Sequence, residues 1–120
     1  MDLSLRVRKE GDCTIVDVGG ELELHNAPQL REELRAICDV DAPRLVVDLS
    51  HVSFIDSSGI GVLVGGLKRA REHGGTFALV CPQPRVRRVF EITGLLQAIP
   101  IFESLPEALK EISPNASVAT

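Results

Sequence analysis

The stretch that most constrains this chain is residues 54–67, which joins an apolar run to a glycine-rich helical pattern. Asp56, Ser57 and Ser58 lie at the join. Aspartate and serine are preferred where a helix begins, because their side-chain oxygens accept hydrogen bonds from the free N–H groups of the first turn. The same N–H groups and the helix dipole attract anions. A serine hydroxyl at this position is therefore well placed to become a phosphate.

The residues after the join have the spacing of a helix with one apolar face. The apolar positions follow an i, i+3, i+4, i+7 pattern: Ile60, Leu63, Val64 and Leu67. The opposite side would carry Gly61, Val62, Gly65, Gly66 and Arg69. Glycine inside a helix costs roughly 1 kcal/mol relative to alanine, so several glycines there need another reason. Either they form a smooth outward surface for a partner, with Val62 as an apolar knob, or some pack against a neighbouring element.

Apolar periodicity divides the rest of the chain into alternating strands and helices after an N-terminal hairpin. The run Leu45–Leu49 predicts a strand buried on both faces. Asn26 is predicted to cap the first helix, with Pro28 in its first turn. Ser104 and Glu107 form the S-x-x-E pattern that opens the last helix. This order predicts an α/β fold, a mixed sheet of about four or five strands covered by about four helices.

Two details of the strands are less regular. Gly19 and Gly20 are predicted to interrupt the second strand after Val18, with a further short strand over residues 22–24. Asp48 lies inside an otherwise apolar run. Its side chain is either bonded locally at the strand end or contributes to the region of the two serines.

Length and charge restrict the classes of protein to which the chain can belong. With 120 residues and a net charge of −4, it fits one domain, predicted over residues 1–112, with a flexible tail over 113–120. An acidic chain is a poor candidate for non-specific nucleic-acid binding, which needs many Lys and Arg on phosphates. No apolar run approaches the roughly 20 residues of a membrane span, and the N-terminus has no signal-peptide pattern. We therefore expect a cytoplasmic protein with no nucleic-acid or membrane partner.

The chain shows no pattern typical of catalysis or of cofactor binding. His25, His51 and His73 are isolated, without a nucleophile-and-base pairing. The cysteines are far apart and form no C-x-x-C pair for zinc or redox chemistry, so we expect reduced thiols: Cys13, Cys38 and Cys81. No phosphate-binding loop or dinucleotide fingerprint is present. The sequence predicts a protein that is not an enzyme and uses no cofactor or metal.

Three separated motifs resemble one known family. Asp56 to Gly61 reads D-S-S-G-I-G and resembles the D-S-[ST]-G-[LI]-G motif of bacterial STAS-domain anti-sigma factor antagonists. The segment G-E-L-E followed by A-P-Q-L, within residues 20–30, is similar to the family's G-E-[LI]-D…A-P-x-L. The segment I-T-G-L over residues 92–95 is similar to its [IL]-[TS]-G-L. The likeness covers about residues 3–112 in one order and implies a STAS-like mixed sheet with helices packed on it.

The resemblance implies a regulatory binding function. The unphosphorylated protein would bind a cognate anti-sigma factor, which is an ATP-dependent serine kinase, and so release a sigma factor. Phosphorylation would end the interaction, and a cognate phosphatase would restore it. In the family the acceptor is the serine directly after the aspartate, which corresponds to Ser57, although sequence physics alone does not choose between Ser57 and Ser58. We expect a monomer or a weak dimer.

The resemblance and the helix pattern together predict a set of partner-binding residues. They are Glu23, Asp56, Ser58, Gly59, Gly61, Val62, Gly65 and Gly66. Glu23 stands where the family often has aspartate, which keeps the charge with one more methylene and favours a changed rate over lost function.

A second function is compatible with the same fold. STAS domains also serve as regulatory subunits of stress-signalling scaffolds and of lipid-transport ATPase complexes. The complete D-S-S-G-I-G motif favours the antagonist.

Overall fold

A computed structural model describes residues 3–113 as a five-stranded mixed sheet with helices on both faces. The strands are β1 (Ser4–Glu10), β2 (Cys13–Leu22), β3 (Arg44–Ile55), β4 (Thr76–Val80) and β5 (Ile101–Phe102). The helices are α1 (Ala27–Cys38), α2 (Ser57–Glu72), α3 (Pro84–Ile92) and α4 (Leu105–Ile112), with a short 3-10 turn over Leu95–Gln97. The α/β fold predicted from the sequence is therefore confirmed.

The strands lie in chain order across the sheet, β1-β2-β3-β4-β5. β1 and β2 form an antiparallel hairpin, and every later neighbour pair is parallel. In a strand–helix–strand unit with parallel strands, the helix begins at the carboxyl edge of the sheet and returns to the opposite edge. The N-termini of α1 and α2 therefore lie at the same edge, beside the ends of β2 and β3.

Two apolar layers hold the helices to the sheet. The larger layer packs α1, α2 and α3 on one face, through residues such as Leu34, Leu63 and Phe90. The smaller layer packs α4 on the other face against β2, β3 and β4, through Ala108 and Ile112. Thus the helix that begins with the two serines is anchored within the main core.

The predicted helix signals are confirmed at several ends. The Ser104 hydroxyl accepts a hydrogen bond from the Glu107 N–H at 3.4 Å, which is the cap predicted for α4, and donates one to the Glu107 carboxylate at 3.0 Å. Gly94 follows α3 with a φ of 77°, a left-handed conformation that favours glycine. These residues act through local geometry, which is why sequence alone identifies them.

The predicted break at Gly19-Gly20 is wrong. β2 runs on to Leu22, and its register against β3 shifts between Asp17 and Gly19 and again between Gly20 and Glu21. Gly20 has a φ of 95°, which a residue with a side chain rarely adopts. The glycines therefore supply irregular pairing inside one strand, as in a β-bulge, and no separate strand forms over residues 22–24.

Part of the predicted tail lies outside the described residues. Only Ser113 of residues 113–120 is described, and the expectation for 114–120 stays a prediction.

None of the helices within residues 3–113 is long and apolar enough to cross a membrane. Over the same residues, no group of three or more His, Cys, Asp or Glu side chains is arranged to hold a metal ion.

Candidate functional site

Asp56 connects two loops at the carboxyl edge of the sheet. It is the N-cap of α2, and its Oδ1 accepts a hydrogen bond from the Gly59 N–H at 3.0 Å. Its Oδ2 accepts another from the N–H of Leu24, in the loop between β2 and α1, at 3.0 Å. One carboxylate therefore caps the serine-bearing helix and fixes the neighbouring loop beside it.

Hydrogen bonds within the β2–α1 loop also fix its conformation. Asn26 is buried, and its side-chain oxygen accepts a hydrogen bond from the Glu23 N–H at 2.9 Å while its amide donates to the Glu21 carbonyl at 2.7 Å. Asn26 does precede α1 as predicted, but its side chain makes no capping hydrogen bond to that helix. The Glu23 carboxylate accepts a hydrogen bond from the His25 N–H at 3.0 Å. The loop that presents Glu23 is thus preorganised.

Ser57 and Ser58 are the first two residues of α2. The Ser57 side chain is exposed, and that of Ser58 is half-buried. Neither hydroxyl has a hydrogen-bond partner among residues 3–113. The first intrahelical hydrogen bond joins the Ile60 N–H to the Asp56 carbonyl at 3.0 Å, so the N–H groups of the two serines precede the regular ladder. Of the two hydroxyls, the exposed Ser57 is the easier for an enzyme to reach.

The glycines of α2 divide into two groups. A Cβ on Gly59 would lie 2.8 Å from side-chain carbons of both Leu22 and Ile55, and one on Gly66 would lie 2.9 Å from Leu34 Cδ1. Contacts this short do not occur, so Gly59 and Gly66 let α2 pack closely against neighbouring elements. Gly61 and Gly65 have open space where a Cβ would lie.

The predicted outward face is therefore wrong in part. Val62 is only 4% exposed and belongs to the main core, so it is not an outward knob. A side chain at Gly59 or Gly66 would also point into the packed interior. The reason is that α2 is covered by α1 as well as by the sheet, which buries more than the single stripe that periodicity predicts. Of the predicted set, Gly61 and Gly65 remain on the open surface and Arg69 is half-buried. The inward position of Gly66 fits the alternative that some of these glycines pack against a neighbouring element.

Two exposed apolar side chains belong to the segments that meet at Asp56. Leu24 is 66% exposed in the β2–α1 loop, and Phe54 is 50% exposed near the end of β3. Sequence reasoning missed both of them. A signal was available, because Phe54 and Ile55 are adjacent apolar residues on a strand, and alternation sends one of them outward.

Asp48 does not contribute to this site. Its carboxylate accepts a hydrogen bond from the Ser50 N–H at 2.9 Å. It lies opposite Asp17 in the β2–β3 register, well before the strand end that leads to Asp56. Of the two alternatives predicted for Asp48, the structure therefore fits the side chain that is hydrogen-bonded locally.

The three cysteines are free and buried: Cys13, Cys38 and Cys81. Burial raises the pKa of each thiol, and that of Cys81 to about 11. Because the thiolate is the reactive form, these thiols are unreactive in the folded protein at neutral pH.

Comparison with known proteins gives a consistent result. Residues 4–108 match the family model of the STAS domain. An anti-sigma F factor antagonist of Paenibacillus polymyxa is 31% identical over 113 residues, which cover 93% of this chain and 97% of that protein. An anti-sigma-B factor antagonist of Bacillus subtilis is 36% identical over 101 residues, covering 84% and 92%. The crystal structure of an anti-sigma factor antagonist from Mycobacterium paratuberculosis has a TM-score of 0.85 at 30% identity, covering 92% and 94%.

Proposed function

The chain belongs to the STAS domain family, and we propose that it is an anti-sigma factor antagonist switched by phosphorylation of Ser57. In this role the unphosphorylated protein binds an anti-sigma factor that is also a serine kinase, and a sigma factor is released. Phosphorylation ends the interaction, and a phosphatase restores it. The role is regulatory binding in the cytoplasm rather than catalysis by this chain.

The observation that carries the proposal is the exposed position of Ser57 directly after Asp56, at a fixed edge of the sheet. Asp56 ties the serine-bearing helix to the β2–α1 loop through two hydrogen bonds of 3.0 Å. Leu24 and Phe54 add exposed apolar area on the segments that meet at Asp56. Interfaces combine apolar anchors with a polar surround, and a preorganised surface loses less entropy on binding. This surface fits a protein partner better than a small ligand.

Exposure supports Ser57 as the acceptor over Ser58. A kinase must place the acceptor hydroxyl in line with the γ-phosphate of ATP, which requires an accessible side chain. Ser57 is exposed, whereas Ser58 is half-buried. Its position directly after Asp56 agrees with the family motif.

The proposed switch acts through the interface. A phosphate on Ser57 adds about −1.5 to −2 charge at pH 7, directly after the Asp56 carboxylate that caps α2. The N-terminus of α2 tolerates that charge, so the fold is kept. A partner carboxylate 4 Å from the phosphate would be repelled by roughly 4 kcal/mol per unit charge at an effective dielectric constant of 20. Changing a complex from mostly bound to mostly free takes a difference in binding free energy of about 5.5 kcal/mol. Repulsion and desolvation together can supply that difference.

Site mapping tests the proposal. The protein, Ser57→Ala and Ser58→Ala are incubated with the cognate anti-sigma factor and ATP, and phosphopeptides are identified by mass spectrometry. We expect Ser58→Ala to be phosphorylated at Ser57 and Ser57→Ala to remain unmodified. Phosphate found mainly on Ser58 in the unaltered protein would overturn the assignment of the acceptor.

A further inference from the structure

A groove between α1 and α2 runs away from the phosphoacceptor end of the molecule. Its floor includes Gly61 and Gly65, where no side chain fills the space, and its rim carries Arg31, Arg35 and Arg69. The hollow at its centre has a volume of about 110 Å³. From Gly61 to Arg69 the groove follows α2 for about 12 Å at 1.5 Å per residue. It begins one helical turn beyond Ser57, so a partner over the serine would reach it.

None of the rim arginines forms an ion pair within residues 3–113. The ion pairs of this part of the chain are made by Arg8 and Arg44, away from the groove. Arg31 and Arg35 are exposed, and Arg69 is half-buried. This concentration of positive charge occurs in a chain whose net charge is −4. Arg35 and Arg69 also line an adjoining hollow towards the far end of α1, together with Glu32 and Asp39. The charged side chains that line the groove itself are all arginines, so the groove is a basic region on an acidic protein.

We propose that this groove binds an acidic helix of the anti-sigma factor, an inference that rests on the proposed function. Arg31 and Arg35 are four residues, or about one turn, apart on α1, which matches the spacing of carboxylates one turn apart on a facing helix. The missing side chains at Gly61 and Gly65 let a second backbone approach closely. Helix-in-groove binding of this kind combines a shallow groove with anchors at one-turn spacing. The arginines supply charge complementarity and a faster association rate.

Matched charge reversals test the proposal. Arg31→Glu with Arg35→Glu alters the rim, whereas Lys68→Glu with Arg71→Glu makes the same change in net charge at exposed positions outside the groove. We expect the rim pair to weaken the Kd for the anti-sigma factor at least tenfold and to reduce its salt dependence. We expect the control pair to change the Kd less than threefold. Circular dichroism confirms that both variants fold.

The outcomes separate this inference from the function on which it rests. If the unaltered protein binds the anti-sigma factor and both double variants bind it as tightly as the unaltered protein does, the groove is not a docking site and the proposed function stands. If both pairs weaken binding equally, the effect is general attraction and the groove proposal is wrong. If the unaltered protein does not bind any anti-sigma factor kinase, the proposed function fails and the groove loses its partner. A concentration-dependent dimer that only the rim pair dissolves would assign the groove to a second copy instead.

Discussion

The Asp56 carboxylate accepts a hydrogen bond from the backbone N–H of Leu24 at 3.0 Å, and its other oxygen accepts one from the Gly59 N–H at 3.0 Å. The side chain that caps α2 is thus also the contact that fixes the β2–α1 loop. The loop carries Glu23 and the exposed Leu24, so one carboxylate sets the relative position of the serine and its surroundings.

Asp56→Ala should therefore have two effects. Loss of the cap should lower the free energy of unfolding by about 0.5–2 kcal/mol. Loss of the second hydrogen bond should release the loop and speed amide exchange at Leu24. Urea denaturation followed by circular dichroism and residue-resolved hydrogen exchange measure the two effects.

Ser104→Ala is a matched control, since Ser104 caps α4 and does not touch the β2–α1 loop. It should destabilise the protein by a similar amount and leave the local exchange of the Leu24 amide unchanged. Unchanged exchange in Asp56→Ala would mean that the hydrogen bond to Leu24 does not restrain the loop.

Replacing the two exposed apolar residues near Asp56 should impair binding more than folding. Leu24→Ser removes a mostly exposed side chain and should change the free energy of unfolding by less than about 0.5 kcal/mol. Phe54→Ser removes a half-exposed side chain from a strand and should cost about 1 kcal/mol. Each should weaken the Kd for the anti-sigma factor, because apolar anchors near an interface centre carry much of the binding energy. Val40→Ser is the control, since Val40 is 55% exposed but follows the C-terminus of α1. Equal losses in all three variants would contradict the placement of the interface.

Alanine should have opposite effects at two glycines of α2. Gly65→Ala enters open space and should raise the free energy of unfolding by up to about 1 kcal/mol through helix propensity. At Gly59 the added Cβ would meet Leu22 and Ile55 at 2.8 Å. Overpacking of this kind typically costs about 1–3 kcal/mol, so Gly59→Ala should destabilise. Thermal denaturation of both variants checks the sign, and stabilisation by Gly59→Ala would show that the site can expand.

The free energy of unfolding should fall as the pH rises into the alkaline range, because the buried thiols resist ionisation in the folded protein. Burial raises the pKa of Cys81 from 9.0 to about 11. Between these values the unfolded chain releases a proton that the folded chain keeps, so this contribution is complete below pH 9.0 and is lost towards pH 11. Chemical denaturation across this range should show a shallower decline for Cys81→Ala than for the unaltered protein. The chain has no tyrosine, so tyrosine ionisation adds nothing to the curve. An equal decline in both would assign it to other groups.

Local signals in the sequence predicted most of the fold. The caps at Asp56 and Ser104 depend on residues close in the chain, and each is where the sequence places it. The inward position of Val62 could not be predicted, because it depends on α1 covering α2. The roles of Gly59 and Gly66 likewise depend on Leu22 and Leu34, which are remote in sequence.

The strand prediction failed for a related reason. Gly19 and Gly20 look like a break when only their neighbours are considered. The partner strand β3 supplies enough pairing to carry β2 through the irregularity to Leu22. At the site, Ser57 and Ser58 could not be distinguished from their residue types, whereas in the structure Ser57 is exposed and Ser58 is half-buried.

In the proposed switch, a phosphate on Ser57 blocks binding without refolding the domain. Amide NMR spectra of the free protein, unmodified and phosphorylated on Ser57, are combined with a binding titration against the anti-sigma factor to test this. The proposed switch predicts shifts confined to the start of α2 and the β2–α1 loop, with binding lost. Shifts spread through the sheet and α4, or binding that survives the phosphate, would contradict it.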